Sequence, residues 1–394
     1  MVRMLCSTTA NDGHFGPLLP FARAVVASGH EVRVAAPASY AEVLARAGLR
    51  HEPFGEPAPE VIGPIMASLP AMSVEEANET VVREVFGRVD AQAALPGLIE
   101  SIERWRPHVV VRESAELGSL AAAARAGVPH VHVCIGMHEV ATRFGEGVAE
   151  PLEELGSLAR LPEGRMASEL AGETVVSLVP ELLDHAAGEV TPQAHEFRRF
   201  HEPVPAADGP RPPEWGDPDL PLVYVTFGTV AGSIPSFAGI FREALDALAG
   251  LDACVLMTVG RKVDPLDLGP LPPNARVLQW VPQQAVLAHA SAMLGHGGFG
   301  TTMGALAAGV PQVVVPLFSF DRVVNGDHVT AVGAGVTTGS MAAGTMERAA
   351  ALVPRLLDDP AYADSARRVA TAMHELPQPT QAVPVMTGLA GGGV

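Results

Sequence analysis

The sequence predicts an α/β protein of two similar halves, each a doubly wound parallel sheet. Three observations carry this expectation. Short apolar runs alternate with helical stretches in both halves, which implies parallel strands joined by right-handed crossovers. At 394 residues the chain is too long for one ordinary core. Residues 203 to 221 carry seven prolines and read as a linker between the halves.

VRMLCS (residues 2 to 7) opens the first half as a buried strand. TTANDGH reads as a polar turn. Gly16 and Pro17 then lead into a helix with Leu18, Phe21, Val25 and Val26 at helical spacing and Gly29 at its end. Val32 to Ala36 is a second strand and residues 39 to 47 a second helix. The alternation continues with a strand in RPHVVV (106 to 111), a helix over Leu117 to Ala126, and strands HVHVCI (130 to 135) and TVVSLV (174 to 179), the last of this half. Between about 60 and 105, and from 136 to 172, the pattern loosens. Excursions beyond strand ends are where α/β domains build substrate walls. Met66, Phe86, His132 and Met137 are candidates for such a wall, with plain core packing as the alternative for each.

The second half starts at Leu222. Strands are expected in LVYVTF (222 to 227), CVLMTV (254 to 259), RVLQW (276 to 280), at Ala292 to Leu294 and in VVVP (313 to 316). A helix is expected over 236 to 249, and helices run on to about 373. Neither half has GxGxxG after its first strand, and GxxxxGK[ST] is absent, so nicotinamide and P-loop chemistry are disfavoured.

Composition narrows the partners. The net charge of −18 argues against sequence-independent binding of nucleic acid or an anionic membrane. Cys6, Cys134 and Cys254 are odd in number and widely spaced, which fits neither a disulfide framework nor a zinc site. The first ten residues lack a signal-peptide pattern, and no apolar run reaches the roughly 20 residues that span a bilayer. A soluble cytoplasmic protein, monomer or homodimer, acting on small molecules without a metal is expected.

The densest signal lies between Trp280 and Gly326. A strand ends at Gly295, and His296, Gly297, Gly298, Phe299, Gly300, Thr301 and Thr302 lead into a helix. Free N–H groups and the dipole at a helix start make an anion site, and glycines let the backbone approach the ligand. Around this turn stand Trp280-Val281-Pro-Gln283, Leu287 and His289, Ala308-Gly-Val-Pro311, and Asp321-Arg322-Val-Val-Asn325-Gly326.

In this order and spacing the chain resembles GT-B fold glycosyltransferases, and more closely the family 1 enzymes of actinomycetes that attach sugars to natural products such as antibiotics and polyketides. The resemblance implies two Rossmann-like domains facing a central cleft: an acceptor domain (1–202), a linker (203–221), a nucleotide-sugar domain (222–373) and a tail (374–394) packing back on the first. It implies donor contacts from Gly228, Thr229, Trp280, Val281, Gln283, His296, Gly297, Gly298, Thr301, Thr302, Asp321 and Arg322. Trp280 would stack a nucleobase, Gln283 would meet a ribose or base edge, and Asp321 would accept from sugar hydroxyls. His296 and the amides at Thr301 and Thr302 would stabilise the departing diphosphate.

Arg322 departs from the glutamine usual there, which leaves its role open. Gly304 stands where uridine-donor enzymes often hold a ribose-binding glutamate, so a thymidine diphosphate deoxysugar is favoured.

Gly13-His14-x-x-Pro17 matches the motif of the family's general base. Histidine titrates near neutral pH and can take a proton from an acceptor hydroxyl. The acid that orients it is expected after the strand ending HVVVRESAE, with Glu113 as first choice and Glu116 as second. Single-displacement, inverting transfer to a hydroxyl of an apolar aglycone follows from the resemblance. A nucleotide-sugar epimerase and a non-catalytic homologue are the alternatives.

Overall fold

The computed structural model describes residues 1–187, 197–203, 209–229, 231–234, 237, 239–317, 319–339 and 342–391. The chain divides into two compact units. One holds Met1–Val179, Val190–Glu202 and Leu376–Val394, and the other Pro180–Glu189 and Pro203–Glu375. Residues 180 to 187, assigned by sequence to the first domain, thus group with the second.

The first unit contains β1 (Arg3–Ser7), β2 (Glu31–Pro37), β3 (Arg50–Phe54), β4 (Val109–Glu113), β5 (His130–Val133), β6 (Thr174–Ser177) and β7 (Phe197–Arg199). They pair in the order β3-β2-β1-β4-β5-β6-β7, all parallel. Around them lie α1 (Asp12–Ala27), α2 (Ala41–Arg46), α3 (Pro59–Ser68), α4 (Val74–Thr80), a π-helical stretch (Val81–Asp90), α5 (Ala91–Trp105), α6 (Gly118–Ala126), α7 (His138–Gly147), α8 (Ala149–Leu158) and α9 (Arg165–Ala171). The two faces of the sheet carry separate cores. Phe21, Leu18 and Val111 belong to one, and Leu5, Leu98 and Val110 to the other. Central strands covered on both faces read as continuous apolar runs, as VVV in β4 does.

The second unit opens with α10 (Glu181–Asp184). Its strands β8 (Leu222–Thr226), β9 (Cys254–Thr258), β10 (Ala275–Leu278), β11 (Ala292–Gly295), β12 (Gln312–Val314) and β13 (Gly335–Thr337) pair in the order β10-β9-β8-β11-β12-β13, again all parallel. Helices α11 (Ile240–Ala247), α12 (Gln283–Leu287), α13 (Phe299–Ala307), α14 (Phe320–Ala331), α15 (Thr345–Asp358) and α16 (Pro360–His374) belong with it. The last helix, α17 (Val383–Gly388), packs on the first unit, with Val383 and Met386 in the Phe21 core.

Four local expectations change. The turn TTANDGH is half helix, because Asn11 caps α1 by accepting from the Gly13 amide at 2.8 Å. TVVSLV is not the last strand of its sheet, since β7 pairs with β6. The short strands β3 and β13 were not anticipated; one contains Pro53 and the other has three residues. Residues 209–221 are not a free linker. Trp215 is buried among Leu222, Tyr224 and Cys254, and Arg211 donates to the Leu220 carbonyl at 2.9 Å. Of the expected linker, 204–208 lie outside the described residues, as do 236 and 238 of the expected helix.

In each sheet the strand order reverses once, between β1 and β4 and between β8 and β11. Ligands of doubly wound sheets bind beyond the carboxyl ends of the strands at that switch point. His14 and Glu113 flank the first switch point, and Gly228 and His296 flank the second.

Candidate active site

At the first switch point β1 runs out at Ser7 and the Asn11 cap starts α1, which sets His14 on its first turn. Glu113 is the last residue of β4, and its carboxylate is buried. Its Oε1 lies 3.2 Å from His14 Nδ1 and accepts from the Thr9 amide at 3.1 Å. Its Oε2 accepts from the Ala115 amide at 2.6 Å. Burial pushes this carboxyl up, but His14 and the two amides outweigh it and hold it below the usual carboxylate range. An ionised Glu113 accepts at Nδ1, so Nδ1 carries the proton and Nε2 is left as the basic atom. Thr9 Oγ1, 2.9 Å from Nδ1, shares that contact.

Glu116 does other work. It accepts from the Ser119 amide at 3.1 Å at the start of α6, and burial raises it above the ordinary carboxylate value. Behind Glu113, the buried Arg112 donates from Nη1 to the carbonyls of Glu113 and Ser114 at 3.1 and 3.2 Å and pairs with buried Glu173. An arginine directly after the valines of a buried strand is the sequence signal for such a buried pair.

The four candidate wall residues part company. Phe86 lies with its ring centroid 5.4 Å from that of His14. Met66 is exposed on α3. His132 and Met137 are buried and form no open wall: His132 Nε2 meets Ser114 Oγ at 2.8 Å, and Met137 is wholly covered.

At the second switch point β11 delivers His296 and the turn Gly297–Gly298 to the start of α13. Gly297 has φ of +80°, and a Cβ there would strike the Arg322 carbonyl at 2.9 Å. Asn325, fully buried, donates to the Gly297 carbonyl at 2.8 Å and ties the turn to α14. Gly228, with φ of +75°, closes on the other side, where a Cβ would fall 2.7 Å from His296 Nε2. The ring of His296 is therefore enclosed by glycines. Burial, reinforced by the Arg322 charge and opposed by the Thr226 backbone, pushes its pKa down to about 3. It is a neutral imidazole at neutral pH.

Thr302 is corrected. Its side chain is fully buried, and its amide bonds to the Gly298 carbonyl at 2.9 Å. The amides preceding the first intrahelical bond are those of Phe299, Gly300 and Thr301.

Trp280 is 51% exposed, with the Arg261 guanidinium 4.5 Å from its ring centroid, so one indole face is taken. Arg261 had no signal in the sequence. Val281 packs at the edge of the Trp215 cluster. Gln283 opens α12 with its amide against Gly304. Thr229 is exposed, and Asp321 stands half-buried in the first turn of α14. Arg322 donates from Nη1 to the Leu317 carbonyl at 2.8 Å, which holds the side chain at the carboxyl end of β12. Burial lowers its pKa, with Asp321 opposing. Among the described residues no three His, Cys, Asp or Glu side chains gather as a metal site would.

Two doubly wound units, one with a histidine–carboxylate pair and the other with a glycine-lined helix start, define a GT-B glycosyltransferase. Models of the family described as erythromycin biosynthesis protein CIII-like match residues 23–158 (N-terminal domain) and 242–389 (C-terminal domain). The chain is 31% identical to the elloramycin glycosyltransferase ElmGT of Streptomyces olivaceus, over 96% of this chain and 95% of that one. It is 27% identical to the TDP-daunosamine transferase DnrS of Streptomyces peucetius, over 98% and 97%. The crystal structure of the glycosyltransferase SnogD from Streptomyces nogalater superposes with a TM-score of 0.77 at 26% identity, covering 99% of both chains. The chain belongs to this family of antibiotic-biosynthesis glycosyltransferases and is a hexosyl or deoxyhexosyl transferase.

Proposed function

We propose that the protein transfers a deoxysugar from a thymidine diphosphate donor to a hydroxyl of an apolar aglycone, with inversion at the anomeric carbon. The observation that carries the reading is the His14–Glu113 pair at the end of a parallel sheet, where an ionised carboxylate at Nδ1 favours the tautomer whose basic atom is Nε2. In this reading Nε2 takes the acceptor proton as the acceptor oxygen attacks the anomeric carbon. The bond from that carbon to the phosphate oxygen breaks, and the diphosphate leaves with the bonding pair. A carboxylate at Nδ1 favours the imidazolium that forms.

The donor half is assigned to the second unit. Trp280 offers its open face to thymine, Gln283 meets the ribose, and Asp321 accepts from the sugar. The amides of Phe299, Gly300 and Thr301 receive the diphosphate, and His296 acts as a neutral donor beside the Arg322 cation. Gly228, Gly297 and Gly298 permit close approach. With a cation and a helix start at the leaving group, no divalent metal is required. The thymidine preference is supported by Gly304, which carries no carboxylate, and by the TDP donor in the name of DnrS. The acceptor half is assigned to the first unit, with Phe86 and Met66 on the aglycone side. A cytoplasmic setting suits the nucleotide-sugar donor.

The test is incubation with TDP- and UDP-sugars and a panel of polyketide aglycones. TDP release with a product of inverted anomeric configuration is expected. A product of retained configuration, or equal use of UDP-sugars, contradicts the reading.

A further inference from the structure

The stretch Val81–Asp90 is π-helical over ten residues, a rare geometry that clusters at functional sites. Its i→i+5 bonding brings residues four to five apart onto one face, and Phe86 and Asp90 share such a face. Phe86 packs its ring on His14 at 5.4 Å, so Asp90 follows one turn later on the same side. The other side is anchored: Arg88 grips Glu154 of α8 through Nε and Nη2 at 2.8 Å each, and Arg83 pairs with Glu150.

Asp90 is half-buried, and its side chain makes no capping hydrogen bond at the start of α5. The charges that act on it most are His14 of α1, which favours its ionised form, and Glu56 after β3, Glu113 of β4 and Glu116 before α6, which oppose it. Glu113 and Glu116 are committed to hydrogen bonds of their own.

We propose that Asp90 is a positioning residue for the base: its carboxylate, held toward His14 by the π-helical stretch, joins Glu113 in favouring the imidazolium. Two carboxylates on one imidazole make His14 a stronger base than one would, because each stabilises the proton it takes up. Burial and the three glutamates raise the Asp90 pKa to about 6, so the support is present at neutral pH and fades as Asp90 is protonated on acidification. The catalytic consequence rests on His14 being the base; the electrostatic coupling itself does not.

The experiment is an NMR titration of the His14 ring in the free protein, assigned with His14→Gln, for wild type, Asp90→Asn and Asp90→Glu. Removing the charge is expected to lower the His14 midpoint by about half a pH unit or more, and Asp90→Glu is expected to restore most of it. A weaker base should also slow transfer at pH 7.5 and move the acid limb of kcat/KM to lower pH by the same amount. Asp90→Ser provides the same removal should the asparagine variant fold poorly. An unchanged His14 midpoint in the charge-free variants overturns the proposal. A shifted midpoint in a protein that transfers no sugar from any donor leaves the coupling standing and overturns the proposed function instead.

Discussion

The side-chain amide of Gln283 lies where a Cβ on Gly304 would fall, 2.7 Å away. Gln283 opens α12 and Gly304 lies inside the neighbouring helix α13, and the bare glycine lets the amide settle over that helix. Gly304→Ala forces that amide to move. In exchange a helix-interior glycine is replaced, which favours the helix by about 1 kcal/mol. We expect a variant that melts no lower than wild type but binds TDP about 2- to 10-fold more weakly, the worth of one displaced hydrogen bond. Calorimetric titration with TDP checks this, and an unchanged affinity removes Gln283 from the donor site.

Arg322 bears on the phosphate end. Its guanidinium is held beside His296 at the carboxyl end of β12. Arg322→Gln should weaken TDP and inorganic pyrophosphate by about tenfold, in the range for a charge-assisted hydrogen bond, while thymidine binding stays the same. The loss should shrink as salt is raised. Equal weakening of thymidine would place Arg322 at the nucleoside instead.

His296 predicts an acid sensitivity of the second unit. Its native pKa of about 3 lies below the unfolded value of about 6.5. Between those values the unfolded chain binds a proton that the native chain does not, so stability falls as pH drops from about 6.5 toward 3. His296→Gln keeps a polar group of similar reach and removes the titration. Its melting temperature should therefore decline less than that of wild type between pH 7 and pH 5. Parallel declines in the two proteins would mean that His296 is protonated in the native state.

The alternation of apolar strands and helices was legible because parallel sheets covered on both faces leave continuous runs such as VVV in β4. The site residues were legible as a motif, but their burial was not. Thr301 and Thr302 are adjacent, yet the helix turns by about 100° per residue, so one stays at the surface and the other faces the core. His130 and His132 share a strand face, and nothing in their spacing tells that Glu173 and Ser114 await them. Glu113 ranks ahead of Glu116 in the sequence, but nothing there shows that the Ser119 amide claims the second. Asp90 was invisible because a π-helical stretch shifts the phase of every side chain after it. Asn325 stood in the motif without a role, since its partner is a backbone carbonyl 28 residues away.

The pairing of His14 with Glu113 is the centre of the account, and turnover of His14→Ala beside its TDP affinity tests it most directly. TDP should bind the variant within about twofold of wild type, because His14 belongs to the other unit from the donor residues. Sugar transfer should fall by roughly 10²-fold or more, the loss expected for a general base. Near wild-type turnover in a variant that binds TDP normally would contradict the assignment of His14 as the base.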